Sequence, residues 1–125
     1  YNANPQSVEA ALEVLERCGV VDRRVALLGD MLELGESAND QHEALGRRVG
    51  ALVNRLVVVG PLGENVAKGA VAVGLARIWR FETAAQAREA LFDIIRHGDT
   101  ILVKGSRAMA MEIISQEIVS SYGKR

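Results

Sequence analysis

Val25-Ala-Leu-Leu28, closed by Gly29, and Leu56-Val-Val-Val59, closed by Gly60, decide the fold of this chain. Each run is short, continuously apolar and ended by a glycine, the pattern of a strand buried on both faces. Between them Ser37 stands where it can cap a helix whose inward stripe is His42, Leu45, Val49 and Leu52. Strand, loop, helix and strand in this order form a βαβ unit.

The same alternation runs outward in both directions. Upstream, Val8, Ala11, Leu12 and Leu15 follow helical spacing, with Pro5 suited to the first turn and Gly19 to the exit. Downstream the pattern predicts a helix from Glu64 to Val73, a strand from Arg77 to Phe81, a helix from Ala84 to Arg96, a strand from Thr100 to Val103 and a last helix from about Ser106 to Ser121. Strands alternating with helices imply an α/β fold. The expectation is a Rossmann-like three-layer domain with a mainly parallel sheet, helices on both faces and right-handed crossovers.

Bulk properties bound the function. With 125 residues and 49% apolar composition the chain fits a single domain over residues 1–125, able to bury roughly two-thirds of its unfolded surface. A net charge of −1 without a basic stripe argues against nucleic-acid binding. The single cysteine, Cys18, can form neither an intrachain disulfide nor a thiolate metal cluster, which fits a reducing cytoplasm. No apolar run is long enough to span a bilayer, and neither His42 nor His97 has a second ligand at metal spacing. A cytoplasmic monomer without a metal site is the expectation. The charged residues are expected mostly on outward helix faces.

In a parallel α/β sheet the loops after the strands emerge on one edge, where ligands bind. Four loops are therefore of interest: Gly29 to Ser37, Gly60 to Glu64, Phe81 to Ala84, and Lys104 to Arg107. The segment Tyr1 to Pro5 joins them if a strand precedes Tyr1 in a longer protein, and the abrupt start at a helix suggests such a strand.

Lys104-Gly-Ser-Arg107 lies where a buried strand is expected to turn into a helix. Free amides of Gly105 and Ser106, the helix dipole and two cations would there favour a carboxylate or phosphate. The plainer reading is that Ser106 only caps the helix while Lys104 and Arg107 are solvated. Gly29-Asp-Met-Leu-Glu-Leu-Gly35 sets two carboxylates, Asp30 and Glu33, among large apolar residues. Asp30 could hold an ammonium group or a water while Met31 and Leu32 shape a pocket wall, or the loop could fold back so that its apolar residues complete the core and its acids face water. Asn4 reads as a helix N-cap, whereas Asn2 has no such duty and could join it in holding a small zwitterion or a ribose. His42 reads as a satisfied core histidine, His97 as a cation at a helix C-terminus, and Gly60-Pro-Leu-Gly63 as a structural turn. No phosphate loop, dinucleotide fingerprint or nucleophile elbow is present, so the chain lacks the means to make a bond alone.

Taken in order, Tyr1-Asn-Ala-Asn-Pro5, Leu28-Gly-Asp-Met-Leu-Glu-Leu-Gly35, His42 with Val49-Gly50, and Leu102-Val-Lys-Gly-Ser-Arg107 followed by Met111-Glu112 resemble the C-terminal domain of the Mur ligase family. The branch they resemble joins D-alanyl-D-alanine to UDP-N-acetylmuramoyl-tripeptide in peptidoglycan precursor synthesis, and so serves cell wall biogenesis, cell shape and cell division. The resemblance covers essentially the whole chain. It implies a longer enzyme whose N-terminal domain binds the UDP-sugar and whose central domain holds ATP and Mg²⁺, with this domain closing over the site. It further implies that Asn2, Asn4, Lys104, Gly105, Ser106 and Arg107 face the dipeptide or the domain hinge. Tyr1, Asp30, Met31, Glu33 and His42 then belong to the edge of the site. On this view the chain carries no catalytic residue, is inactive by itself, binds no cofactor tightly and is trimmed just inside its first strand. Two alternatives accompany it: a Mur-type ligase with another amino acid or peptide acceptor, and a non-catalytic α/β module for small anions.

Overall fold

The computed structural model describes residues 3–122. Its elements run α1 (Pro5–Glu16), β1 (Arg24–Gly29), α2 (Ala38–Gly50), β2 (Arg55–Val59), α3 (Gly63–Ala72), β3 (Ile78–Phe81), α4 (Ala84–Ile94), β4 (Thr100–Lys104) and α5 (Glu112–Tyr122). The four strands form one parallel sheet in the order β3-β2-β1-β4. The α/β, three-layer expectation holds.

β1 and β2 are buried along their whole length, which is why both read as unbroken apolar runs. Their side chains alternate between two cores. Ala26, Leu28, Leu56 and Val58 join Val8, Leu12, Leu45, Val49 and Val66 of α1, α2 and α3 on one face. Val25, Leu27, Val57 and Val59 join Ala87, Leu91 and Ile114 of α4 and α5 on the other. Burying one such Leu or Val contributes roughly 1.5–3 kcal/mol. Between β1 and β4 the chain reverses its direction of travel across the sheet, and α2 and α5, which follow these strands, lie on opposite faces. A crevice opens at such a switch point.

Two helix boundaries differ from expectation. The last helix starts at Glu112 rather than Ser106. A 3-10 turn over Arg107–Met109 and a left-handed Ala110 (φ 54) come first. The reason is tertiary: Met109 and Met111 fill the space beside Gly29, where an added Cβ would lie 3.1 Å from Met109 Cβ and 3.0 Å from Met111 Cγ. The anion-favouring α-helical N-terminus expected at Gly105 and Ser106 is therefore absent. α4 stops at Ile94, because Ile95 turns extended and buried and the Arg96 amide donates to Asp99 Oδ2 at 2.7 Å.

A few charged residues stand apart from the outward faces on which most were expected. Arg24 and Arg55, which open the two central strands, are buried, and so is the Asp99 side chain. Arg24 donates to the carbonyls of Glu16, Cys18 and Leu52, at the C-terminal ends of α1 and α2. On the opposite face Arg55 donates to the carbonyl of Ile94, the end of α4, and to both oxygens of Asp99 at 2.8 Å. Cations in such places satisfy carbonyls that a helix end leaves without partners.

Candidate functional site

The loops after β1 and β4 meet the start of α1 at the switch point. Together they line a cleft of about 510 Å³ whose walls are Ala3, Asn4, Leu32, Glu33, Leu34, Ser106, Arg107 and Ala108. Three expected site segments are thus brought to one place, although they lie far apart in the chain.

A polar scaffold holds these loops. The buried Ser106 hydroxyl accepts the Leu32 amide at 2.9 Å and donates to the Ala3 carbonyl at 3.3 Å, while its own amide donates to the Asp30 carbonyl at 3.0 Å. One residue therefore ties together all three segments. His42 is fully buried. Its Nδ1 lies 2.7 Å from the Ala38 carbonyl of its own helix and its Nε2 accepts the Met31 amide at 2.9 Å, an arrangement that defines a neutral ring protonated on Nδ1. The Asp30 carboxylate accepts the Leu62 amide at 3.1 and 3.3 Å. Gly60 allows that approach: its φ is 105, and a Cβ there would lie 2.7 Å from the Asp30 carboxylate. Burial pushes the Asp30 carboxyl above its ordinary range, with the hydrogen bond from the Leu62 amide only partly offsetting it.

These contacts sort the candidates. Asp30, Met31, His42 and Ser106 are buried and committed to holding loops. The folded-back reading of the loop holds for Met31 and Glu33 but not for Asp30, which is buried rather than facing water, nor for Leu32, which is exposed. Met31 belongs to the core formed with α1 and α2. Asn4 caps α1, its Oδ1 accepting the Ser7 amide at 2.8 Å. The Asn4 side-chain nitrogen has no partner among the described residues. Arg107 and Glu33 are exposed and line the cleft, and among the described residues neither takes part in an ion pair. Lys104 ends β4 in register with Leu28. Neither it nor Gly105 is among the residues lining the cleft. Gly105 sits so close that a Cβ there would lie 3.1 Å from Gly29 Cα. Tyr1 and Asn2 lie outside the described residues.

Ser37 makes no capping bond for α2. It donates instead to the Leu34 carbonyl at 2.9 Å and accepts from Gln41, closing the far side of the loop. His97 lies beyond the end of α4, with its ring 5.7 Å from that of Tyr122. The Leu62 amide is a functional group that residue-type reasoning missed. Its only sequence signal is the Gly60-Pro-Leu-Gly63 turn at the ligand edge.

A second cavity of about 300 Å³ between α1 and α2 differs in kind: Glu9 and Arg48 on its rim neutralise each other at 2.8 Å. No three His, Cys, Asp or Glu side chains come together as a cation cluster among the described residues. No helix among the described residues is long and apolar enough to cross a membrane.

Fold and cleft together define a Rossmann-like α/β domain with a switch-point cleft assembled from three loops. The chain belongs to the Mur ligase family: the model of the family's glutamate ligase domain matches residues 1–107. It is 31% identical over 123 residues to the UDP-N-acetylmuramoyl-tripeptide–D-alanyl-D-alanine ligase of Bacillus subtilis, covering 97% of this chain and 27% of that protein. MurF from Acinetobacter baumannii is similar in structure at a TM-score of 0.81 and 32% identity, over 96% of this chain and 27% of that one. MurF from Thermotoga maritima, solved in complex with ADP, matches with a TM-score of 0.76 and 27% identity over 100% of this chain and 28% of its own length. The chain thus spans about a quarter of the length of these relatives.

Proposed function

We propose that residues 1–125 are the C-terminal domain of an ATP-dependent ligase that joins D-alanyl-D-alanine to UDP-N-acetylmuramoyl-tripeptide in the cytoplasm, and that the cleft at the switch point receives the dipeptide. The observation that carries this reading is Arg107. Its guanidinium is exposed at the cleft without an ion-pair partner among the described residues, while the buried polar side chains around it are committed to the loops. An uncommitted guanidinium in a concave site suits a terminal carboxylate, which it can bind with two parallel hydrogen bonds.

In this reading the domain supplies placement. Activation of the acceptor carboxylate by ATP belongs to the rest of the enzyme. Holding an amine at attack distance from an activated carboxyl group can contribute on the order of 7–11 kcal/mol in well-oriented cases, and closure over the site excludes water that would hydrolyse the activated species. Lys104 and Gly105 serve the same loop from just behind the cleft wall.

Arg107→Ala in the full-length enzyme tests the assignment. The KM for D-alanyl-D-alanine is expected to rise roughly tenfold to a hundredfold, the worth of a charge-assisted hydrogen bond, with the KM for ATP nearly unchanged. Equal effects on both would overturn the carboxylate site. Efficient use of a single amino acid in place of the dipeptide would overturn the substrate.

A further inference from the structure

Across the cleft from the guanidinium-bearing loop stands an opposite charge to which the assignment above gives no duty. Glu33 lies on the loop after β1, is exposed and lines the same cleft as Arg107. The two do not pair with each other. Elsewhere on the surface carboxylates and guanidiniums within reach do pair, as Glu9 does with Arg48, Glu43 with Arg47 and Glu64 with Arg80. A cleft with one positive and one negative side chain held beyond pairing distance has two poles. A ligand that fits it carries both charges.

The backbone at Glu33 sharpens the point. Its φ is 64, in the left-handed region, which residues other than Gly, Asn and Asp adopt rarely and which concentrates at binding sites. Nearby Gly35 has a similar φ of 62 and open space around it. A glycine or asparagine would fit position 33 with less strain, and the glutamate side chain makes no hydrogen bond among the described residues that would justify its presence structurally.

We propose that Glu33 binds the ammonium group of the acceptor dipeptide while Arg107 binds its carboxylate, so that the cleft recognises the zwitterion by both ends and Glu33 sets where the amine rests before attack. This rests on the reading of the cleft as the acceptor site. Asn4, whose side-chain nitrogen is uncommitted, lies on the same wall and can donate to the peptide carbonyl between the two ends.

The test is a charge-matched binding series on the full-length enzyme, with calorimetric titration of three probes into wild type, Glu33→Gln and Arg107→Ala. The probes are D-alanyl-D-alanine, propionyl-D-alanine, which lacks the ammonium, and D-alanyl-D-alaninamide, which lacks the carboxylate. Glu33→Gln is expected to weaken the dipeptide and the amide on the order of tenfold or more while leaving propionyl-D-alanine unchanged. Arg107→Ala should weaken the dipeptide and propionyl-D-alanine but not the amide. If Glu33→Gln has no effect, or weakens all three probes alike, while Arg107→Ala keeps its pattern, the ammonium site is overturned and the acceptor cleft stands. If Arg107→Ala also leaves every probe unchanged, the cleft assignment itself falls. Both side chains are exposed, and unchanged thermal melting shows that the variants are folded.

Discussion

The two ends of the sheet treat buried polarity in opposite ways. At the amino end, Arg55 and Asp99 lock against each other on one face while Arg24 on the other is held by helix carbonyls, and no buried side-chain nitrogen or oxygen among the described residues lacks a partner. Burial alone pushes the Asp99 carboxyl up, but the hydrogen bonds from Arg55, the Arg96 amide and the charges of Arg55 and Arg23 outweigh it and bring it below its ordinary value. At the carboxyl end, Asp30 is buried without a cation and is pushed up, and Asp30, His42 and Ser106 spend their bonds on loop amides. The charges there, Glu33 and Arg107, are left open. One end consumes its polar groups for stability, and the other uses them to shape loops and leaves its charged side chains open at the cleft.

The comparison can be broken most forcefully at the amino end. Arg55→Ala would leave the Asp99 carboxylate buried beside an empty space, with only Arg23 and the Arg96 amide near it, and is expected to cost about 3–5 kcal/mol of unfolding free energy as read by denaturant titration. A loss no larger than that of a surface residue would show that this end is not a structural lock. Ser106→Ala should cost less, about 1–3 kcal/mol, because it orphans the Leu32 amide and the Ala3 carbonyl. It should also raise hydrogen exchange at Leu32 without touching α4. Exchange that rises across the whole chain would mean the two ends are a single cooperative unit.

Asp30→Asn probes the opposed pKa directions through the pH dependence of melting. Because the Asp30 carboxyl is raised in the folded state, its ionisation opposes folding at neutral pH. That penalty is relieved as pH falls through its folded value and is gone below about pH 4, its ordinary unfolded value. The asparagine variant should therefore gain on the wild type at pH 7 and lose that advantage near pH 4. Asp99 has the reverse sign: its contribution is present above the unfolded value and fades as pH drops through the lowered folded one. An Asp30→Asn difference that grows toward acid would contradict this. The smallest effect expected is that of Arg107→Ala or Glu33→Gln on melting, within about 0.5 kcal/mol, despite their large effects on ligand binding.

Much of the fold is legible in the residue pattern, because both faces of β1 and β2 are covered and their apolar runs are unbroken. Arg24 and Arg55 are not, since a charge at the start of a strand looks the same whether it is solvated or seated on a helix end. The start of α5 is illegible for a related reason: Ser106 is a good capping residue by type, and only the contacts of Met109 and Met111 with the glycine-lined strand ends assign it another task. Within the site, Asn4, Glu33, Ser106 and Arg107 could be singled out from their loops. That Ser106 ties three segments together and that the Leu62 amide holds Asp30 are matters of three-dimensional contact, because a backbone amide has no letter of its own.

Ser106 has one more consequence, and it concerns time. A chain made from its N-terminus has both Met31 and its partner His42 early, but the Leu32 amide waits for an acceptor 74 residues downstream and the Ala3 carbonyl for a donor 103 residues away. Until β4 and its following loop have been synthesised, the walls of the cleft have nothing to be tied to. Protease protection of the 30–34 loop in nascent chains should therefore appear only after Ser106 has emerged, which makes this edge of the sheet late to form although much of it is made early.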